Sequence, residues 1–82
     1  TCVNKGCIPK KLYSFASHYS EELNLMGSFG WKIDKSKFSW NKLVKNKKKE
    51  LFRLNNIYQN LLTNSKVKIF EDYAEFVDQN TL

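Results

Sequence analysis

Two cysteines, Cys2 and Cys7, are the residues of this sequence best suited to carry chemistry. Four residues separate them, and Gly6 allows the connecting segment to bend. A thiolate near a helix N-terminus is stabilised by the helix dipole and by unpaired backbone N–H groups, and Lys10 and Lys11 add positive potential. These features favour a reversible, redox-active dithiol of low pKa.

The spacing of the cysteines also leaves other interpretations open. Buried or incidental cysteines, and a structural disulfide in a secreted domain, are both compatible with it. A metal site is not expected, because two thiols cannot complete a tetrahedral structural zinc site and the only histidine, His18, lies on the first predicted helix.

Length and charge limit the function classes. With 82 residues the chain holds at most one small domain, and its net charge of +6 suits an anionic ligand or nucleic acid without choosing between them. A small basic nucleic-acid-binding module is the alternative from another class, motivated by the lysines of 42–49 and by Trp40 and Phe52. It lacks a recognised fold motif. No apolar run approaches the roughly 20 residues that span a bilayer, so we expect no membrane segment.

The two ends of the sequence resemble cuts. Residues 1–3 include no initiator methionine and no signal-peptide pattern, and residues 78–82 end in a turn-like cluster. We therefore expect an excised or truncated segment.

A first helix is predicted from about Ile8 or Pro9 to Met26, since proline suits an early helical position. Gly27 to Gly30 end it, and Trp31 to Phe38 are predicted to form a loop. The apolar stripe of this helix, expected to be core, comprises Leu12, Phe15, Ala16, Tyr19, Leu23 and Met26.

A second helix is predicted with Ser39 as its N-cap and an end near 63–65. Its lysines are expected to be solvated, although Lys47 falls close to the apolar stripe. Two β-prone runs follow, at 67–70 and 73–77, so the predicted fold class is α/β, with two helices followed by two short strands. The apolar stripe of this helix comprises Trp40, Leu43, Val44, Leu51, Leu54, Tyr58, Leu61 and Leu62.

Two segments resemble a known family. The run Thr1-Cys2-Val3-Asn4-x-Gly6-Cys7-Ile8-Pro9-Lys10-Lys11 closely resembles the redox-active segment of the flavoprotein disulfide reductases, and its Pro-Lys-Lys ending looks like glutathione, trypanothione and large thioredoxin reductases. The second resemblance is to the corresponding helix of glutathione reductases, and it is carried by Phe38-Ser39-Trp40 followed by Arg53-Leu54-Asn55-Asn56-Ile57-Tyr58-Gln59-Asn60-Leu61-Leu62. One departure is Lys5, where the family often has valine.

The resemblance implies an interior segment of a Rossmann-like FAD-binding domain, with residues 1–82 all inside that domain and the NADPH-binding and dimerisation domains outside it. Cys2 would be the interchange thiol that attacks the substrate disulfide, and Cys7 the flavin-proximal thiol in charge-transfer contact with FAD. Lys10 would lie near the flavin ring, Thr1 at the FAD phosphates and Ala74 at the adenine end.

For the substrate, the resemblance implies that Tyr58 contacts glutathione and that Leu54 lines the same cleft, whereas periodicity alone makes Tyr58 an amphipathic core residue. The family's essential histidine comes from the partner subunit, so His18 is expected to be structural or exposed. The implied enzyme is a homodimeric, NADPH-dependent reductase of glutathione disulfide, and we expect it to bind neither nucleic acid nor membranes. The absence of a signal-peptide pattern predicts a cytoplasmic location.

The alternative within the class is a reductase of trypanothione or thioredoxin. The segment alone is expected to fold poorly, to bind FAD weakly or not at all, and to be inactive.

Overall fold

The computed structural model describes residues 1–82, and helices account for 63% of them. No helix in it is both long enough and apolar enough to cross a membrane. In chain order the elements are α1 (Cys2–Lys5), α2 (Cys7–Met26), a 3-10 turn (Gly27–Phe29) and α3 (Trp40–Asn64).

Helix α2 confirms the first predicted helix and begins slightly earlier than expected. Pro9 lies in its first turn, where a missing backbone N–H costs no helical hydrogen bond. The 3-10 turn continues the helix and ends at Gly30, whose φ of 88° is accessible to glycine without steric cost. The predicted loop between the long helices is also confirmed.

Helix α3 confirms the second predicted helix at both ends. The Ser39 hydroxyl accepts a hydrogen bond from the backbone N–H of Lys42 at 3.2 Å, as a serine N-cap should. At the other end Lys66 has a φ of 61°, and the N–H groups of Lys66 and Val67 donate to the carbonyls of Thr63 and Leu62. This is a Schellman motif with a non-glycine residue in the left-handed position.

The predicted α/β fold class is wrong, because the structure contains no strand and no sheet. The runs 67–70 and 73–77 have β-prone residues but no partner strand to accept their backbone hydrogen bonds, and both runs are exposed. One isolated antiparallel bridge, between Asp78 and Thr81, closes a tight turn instead. Side-chain preference for extended backbone is not sufficient to form a strand.

The two apolar stripes do not form the expected core. Only Pro9 and Leu51 are buried, while Phe15, Tyr19 and Leu23 on α2 are 40% or more exposed. The long helices meet where Tyr13 stacks on Trp40 at a ring-centroid distance of 5.5 Å, with the Lys47 ammonium 5.4 Å from the Tyr13 ring centre. Leu51 is the one stripe residue that is buried, and the molecule is elongated, with dimensions of 66 × 25 × 21 Å.

A groove of about 590 Å³ lies beside this contact, between α2 and the start of α3. Its apolar lining includes Tyr13, Tyr19, Leu23 and Trp40. None of the residues predicted to carry chemistry lines it, so the site must be built elsewhere.

Candidate redox site

The two cysteines occupy the first positions of consecutive helices. Cys2 begins α1 and Cys7 begins α2, with Gly6 as the single residue between the helices. A Cβ atom on Gly6 would lie 3.1 Å from the Cys2 Cα and 3.3 Å from the Thr1 carbonyl oxygen, which is tighter than ordinary contact. The absence of a side chain therefore lets the backbone fold back and bring the two cysteines together.

Hydrogen bonds from Cys7 lower the pKa of the Cys2 thiol. The larger effect comes from the Cys7 side chain, the next from the Cys7 backbone N–H, and Lys10 adds a smaller electrostatic contribution in the same direction. Both thiols are free and exposed. The thiolate is the nucleophilic form, so Cys2 combines the access and the acidity that thiol–disulfide exchange requires.

Thr1 and Lys10, the other residues predicted to belong to the redox site, lie near the cysteines. The Thr1 carbonyl accepts the hydrogen bond from the Lys5 N–H that closes α1, at 2.8 Å. Lys10 follows Cys7 by three residues on α2, so both project from neighbouring positions of one exposed helix face. A thiol and an ammonium therefore share one accessible face at the start of α2.

Helix α3 is connected to this end of the molecule by one hydrogen bond between side chains. The Asn55 amide nitrogen donates to the Asn4 amide oxygen at 2.7 Å. Leu54, which is half-buried, precedes Asn55, and Tyr58, which is 44% exposed, follows it by three residues. The predicted substrate-contact residues are thus on the helix that the redox segment touches.

Sequence reasoning missed both asparagines as functional candidates. Both asparagines lie in runs that resemble the family, and this resemblance was the only indication that they matter. Nothing in the sequence showed that residues 51 positions apart would meet.

Ala74 is not brought to the site. It is exposed in the irregular segment after α3, and no hydrogen bond connects that segment with α1 or α2. His18 is also exposed, with its Nδ1 3.7 Å from a carboxylate oxygen of Glu21. Arg53 forms two hydrogen bonds with Glu50 within α3.

Comparison with known proteins gives relatives over the whole chain, although no family model matches. Glutathione reductase of Pisum sativum, described as chloroplastic/mitochondrial, is 45% identical over 83 residues, covering 100% of this chain and 15% of that protein. Glutathione reductase of Burkholderia cepacia is 39% identical over 80 residues, covering 98% of this chain and 18% of that protein. Thioredoxin reductase of Plasmodium falciparum is 41% identical over 83 residues, covering 100% of this chain and 15% of that protein.

The matches to the Pisum sativum and Plasmodium falciparum proteins include the segment that carries Cys2 and Cys7, because they cover the whole chain. They define the class as flavoprotein disulfide reductase. The chain belongs to the pyridine nucleotide-disulfide oxidoreductase family, which includes glutathione and thioredoxin reductases. It spans less than one fifth of the length of these relatives.

Proposed function

We propose that this chain supplies the redox dithiol and a substrate-contacting helix of an NADPH-dependent glutathione-disulfide reductase. The observation that carries the proposal is the pairing of two exposed thiols at consecutive helix starts, where hydrogen bonds from Cys7 lower the pKa of Cys2. A low-pKa, accessible thiol with a second thiol beside it is the arrangement that disulfide exchange needs.

In the proposed reaction the Cys2 thiolate attacks one sulfur of glutathione disulfide. The substrate S–S bond breaks, a mixed disulfide forms on Cys2, and the first glutathione leaves as a thiolate that takes up a proton. The Cys7 thiolate then attacks the Cys2 sulfur, which forms the Cys2–Cys7 disulfide and releases the second glutathione. Two electrons have passed from the dithiol to the substrate.

FAD, when bound, supplies the two electrons that restore the dithiol, with NADPH as the electron donor. We assign Thr1, Cys2, Cys7 and Lys10 to the FAD-binding face. The positive charge of Lys10 would favour negative charge at that face, in addition to its effect on Cys2. The assignment of Ala74 to the adenine end of FAD rests on the resemblance alone. We further propose that residues 1–82 lie in the FAD-binding domain of a homodimeric enzyme.

Tyr58 and Leu54 are the proposed substrate contacts. Tyr58 offers a ring for packing and a hydroxyl for hydrogen bonding, and its partial exposure leaves both available to a peptide such as glutathione. Reversible dithiol chemistry suits a reducing compartment, so we propose the cytoplasm.

A thioredoxin reductase is the second candidate. The 41% identity to the Plasmodium falciparum thioredoxin reductase, over the whole chain, favours it specifically. The dithiol chemistry would be the same, and Tyr58 would lose its role as a glutathione contact. Trypanothione disulfide is a third acceptor compatible with the Pro9-Lys10-Lys11 ending.

The test is NADPH oxidation by the protein expressed from its complete reading frame. Glutathione disulfide is the acceptor, and thioredoxin, trypanothione disulfide and lipoamide are the comparisons. We expect selective turnover with glutathione disulfide.

Two serine variants separate the roles of the thiols. Cys2→Ser should abolish turnover because it removes the attacking sulfur, and Cys7→Ser should trap the mixed disulfide on Cys2, visible as a glutathione adduct by mass spectrometry. Preference for thioredoxin would replace the substrate assignment, and turnover that survives Cys2→Ser would refute the dithiol route.

A further inference from the structure

The hydrogen bond between Asn4 and Asn55 differs from every other side-chain hydrogen bond of the molecule. The remaining ones join residues no more than four positions apart, whereas this one connects α1 with α3 across 51 positions. Its N···O distance of 2.7 Å lies at the short end of the usual range. Local helix geometry cannot produce such a contact.

Helix α1 depends on outside contacts for its orientation. It has four residues, no side-chain cap, and a carbonyl of Thr1 that accepts from the N–H of Lys5. A single helical turn is not stable alone, because nucleation fixes several residues for one hydrogen bond. Gly6, which follows it, adds conformational freedom at the junction with α2.

The partner on α3 lies beside the proposed substrate contacts. Asn55 is adjacent to Leu54 and three positions before Tyr58, so all three are within about one helical turn. Asn4 is two positions after Cys2 on α1. The hydrogen bond therefore connects the turn that carries the attacking thiol with the turn that carries the proposed glutathione contacts.

We propose that the Asn4–Asn55 hydrogen bond is a positioning contact that holds the Cys2 turn at a fixed angle to the substrate-contacting face of α3. This inference rests on the proposed function, because the face is defined by the substrate contacts assigned to Tyr58 and Leu54. Neither asparagine takes part in bond making or breaking.

The acidity of Cys2 gives a second way to detect this role. The pKa of Cys2 is lowered chiefly by hydrogen bonds from Cys7 on the neighbouring helix. A change in the angle of α1 alters those hydrogen bonds, so loss of the asparagine contact should raise the pKa of Cys2. A merely stabilising surface contact would leave it unchanged.

The experiment uses the full-length enzyme with Asn4→Ala, Asn55→Ala and the double variant. Asn56→Ala is the matched control, since Asn56 is the exposed neighbour on α3 without a side-chain hydrogen bond. Each single variant should lower kcat/KM for glutathione disulfide by about three- to ten-fold, the ratio expected for loss of one net hydrogen bond. The kcat/KM of the double variant should be no lower than that of the less active single variant, because both substitutions remove the same hydrogen bond.

The second measurement is the pH dependence of Cys2 alkylation by iodoacetamide, followed by peptide mass spectrometry. Both single variants should move the profile to higher pH, Asn56→Ala should not, and Asn55→Gln, which keeps an amide donor, should restore it in part. Helix content by circular dichroism identifies any variant that fails to fold.

Additive losses in kcat/KM, or an unshifted alkylation profile in correctly folded variants, would overturn the inference. The alkylation measurement does not require a disulfide substrate. If the unaltered enzyme reduced no glutathione disulfide, the proposed function would fail while the profile still decided whether the asparagines hold the Cys2 turn.

Discussion

The expected reactivity of Cys2 depends on Cys7, the first residue of α2. Hydrogen bonds from Cys7 lower its pKa, and exposure leaves the sulfur open to attack a disulfide. A thiol whose pKa is lower in the folded than in the unfolded chain stabilises the fold above its ordinary pKa. That contribution is lost as the pH falls through the lowered value.

Replacing Cys7 should make Cys2 less reactive at neutral pH. Cys7→Ala removes the side-chain hydrogen bond that is the largest cause of the lowered pKa, so the pKa should rise and less thiolate should be present at pH 7. The measurement is the rate of Cys2 alkylation between about pH 5 and 10, the range in which a thiol of this kind titrates.

Cys7→Ser is the matched control because its hydroxyl can still donate to the Cys2 sulfur. It should keep most of the lowered pKa. If both variants kept the alkylation profile of the unaltered protein, the backbone N–H of Cys7, and not its side chain, would be the main cause of the lowered pKa.

Tyr58 should affect substrate affinity more than the chemical step. Tyr58→Leu removes both the hydroxyl and the ring and should raise KM for glutathione disulfide by about ten-fold, with kcat changed less, as expected for a contact made equally in ground and transition states. Tyr58→Phe should have a smaller effect because the ring remains.

Tyr19→Phe is the matched control on α2, since Tyr19 is exposed and lies on the groove away from the cysteines. Steady-state kinetics of the full-length enzyme makes the comparison. A Tyr58→Leu variant with unchanged KM would remove this residue from the proposed binding face.

At the scale of elements, the two long helices are defined by their own sequences. Ser39 caps α3, Pro9 fits the first turn of α2, and apolar spacing gives the extent of both. The exception is the end of α3, where Lys66 takes a left-handed conformation that glycine adopts without steric cost.

Lys66→Gly should stabilise the C-terminal end of α3 by about 1 kcal/mol, because it removes the cost of a Cβ atom at positive φ. The measurement is helix content by circular dichroism of a peptide covering 38–70. Lys66→Ala is the control, as it removes the charge but retains the Cβ. An equal gain with alanine would attribute the effect to charge.

At the scale of the whole molecule, the chain lacks the buried surface that makes unfolding cooperative. Two residues are buried, and Leu51 is the only one of them that belongs to an apolar stripe. Stability of a small domain comes mostly from apolar area removed from water, and little is removed here.

The 82-residue chain by itself should therefore lose its helices over a broad temperature range, without a calorimetric peak, and should retain no flavin after purification. Circular dichroism, differential scanning calorimetry and flavin absorbance make the three measurements, with the full-length protein as the control. A sharp transition together with bound flavin would contradict this expectation.

Both long helices and the two candidate thiols were predictable from local sequence. Helix ends depend on local caps and spacing, as Ser39 and Pro9 illustrate, and the Cys2 and Cys7 pair was recognisable because all of its residues lie within one short segment. The family followed from two such segments and was confirmed by the relatives.

Features that depend on contacts between distant residues became apparent only in the folded molecule. The run 73–77 forms no strand because no second strand meets it, and Phe15 and Tyr19 stay exposed although their helical spacing predicts a core. The meeting of Asn4 with Asn55 was likewise not predictable, since it results from the three-dimensional arrangement of α1 and α3 rather than from any local pattern.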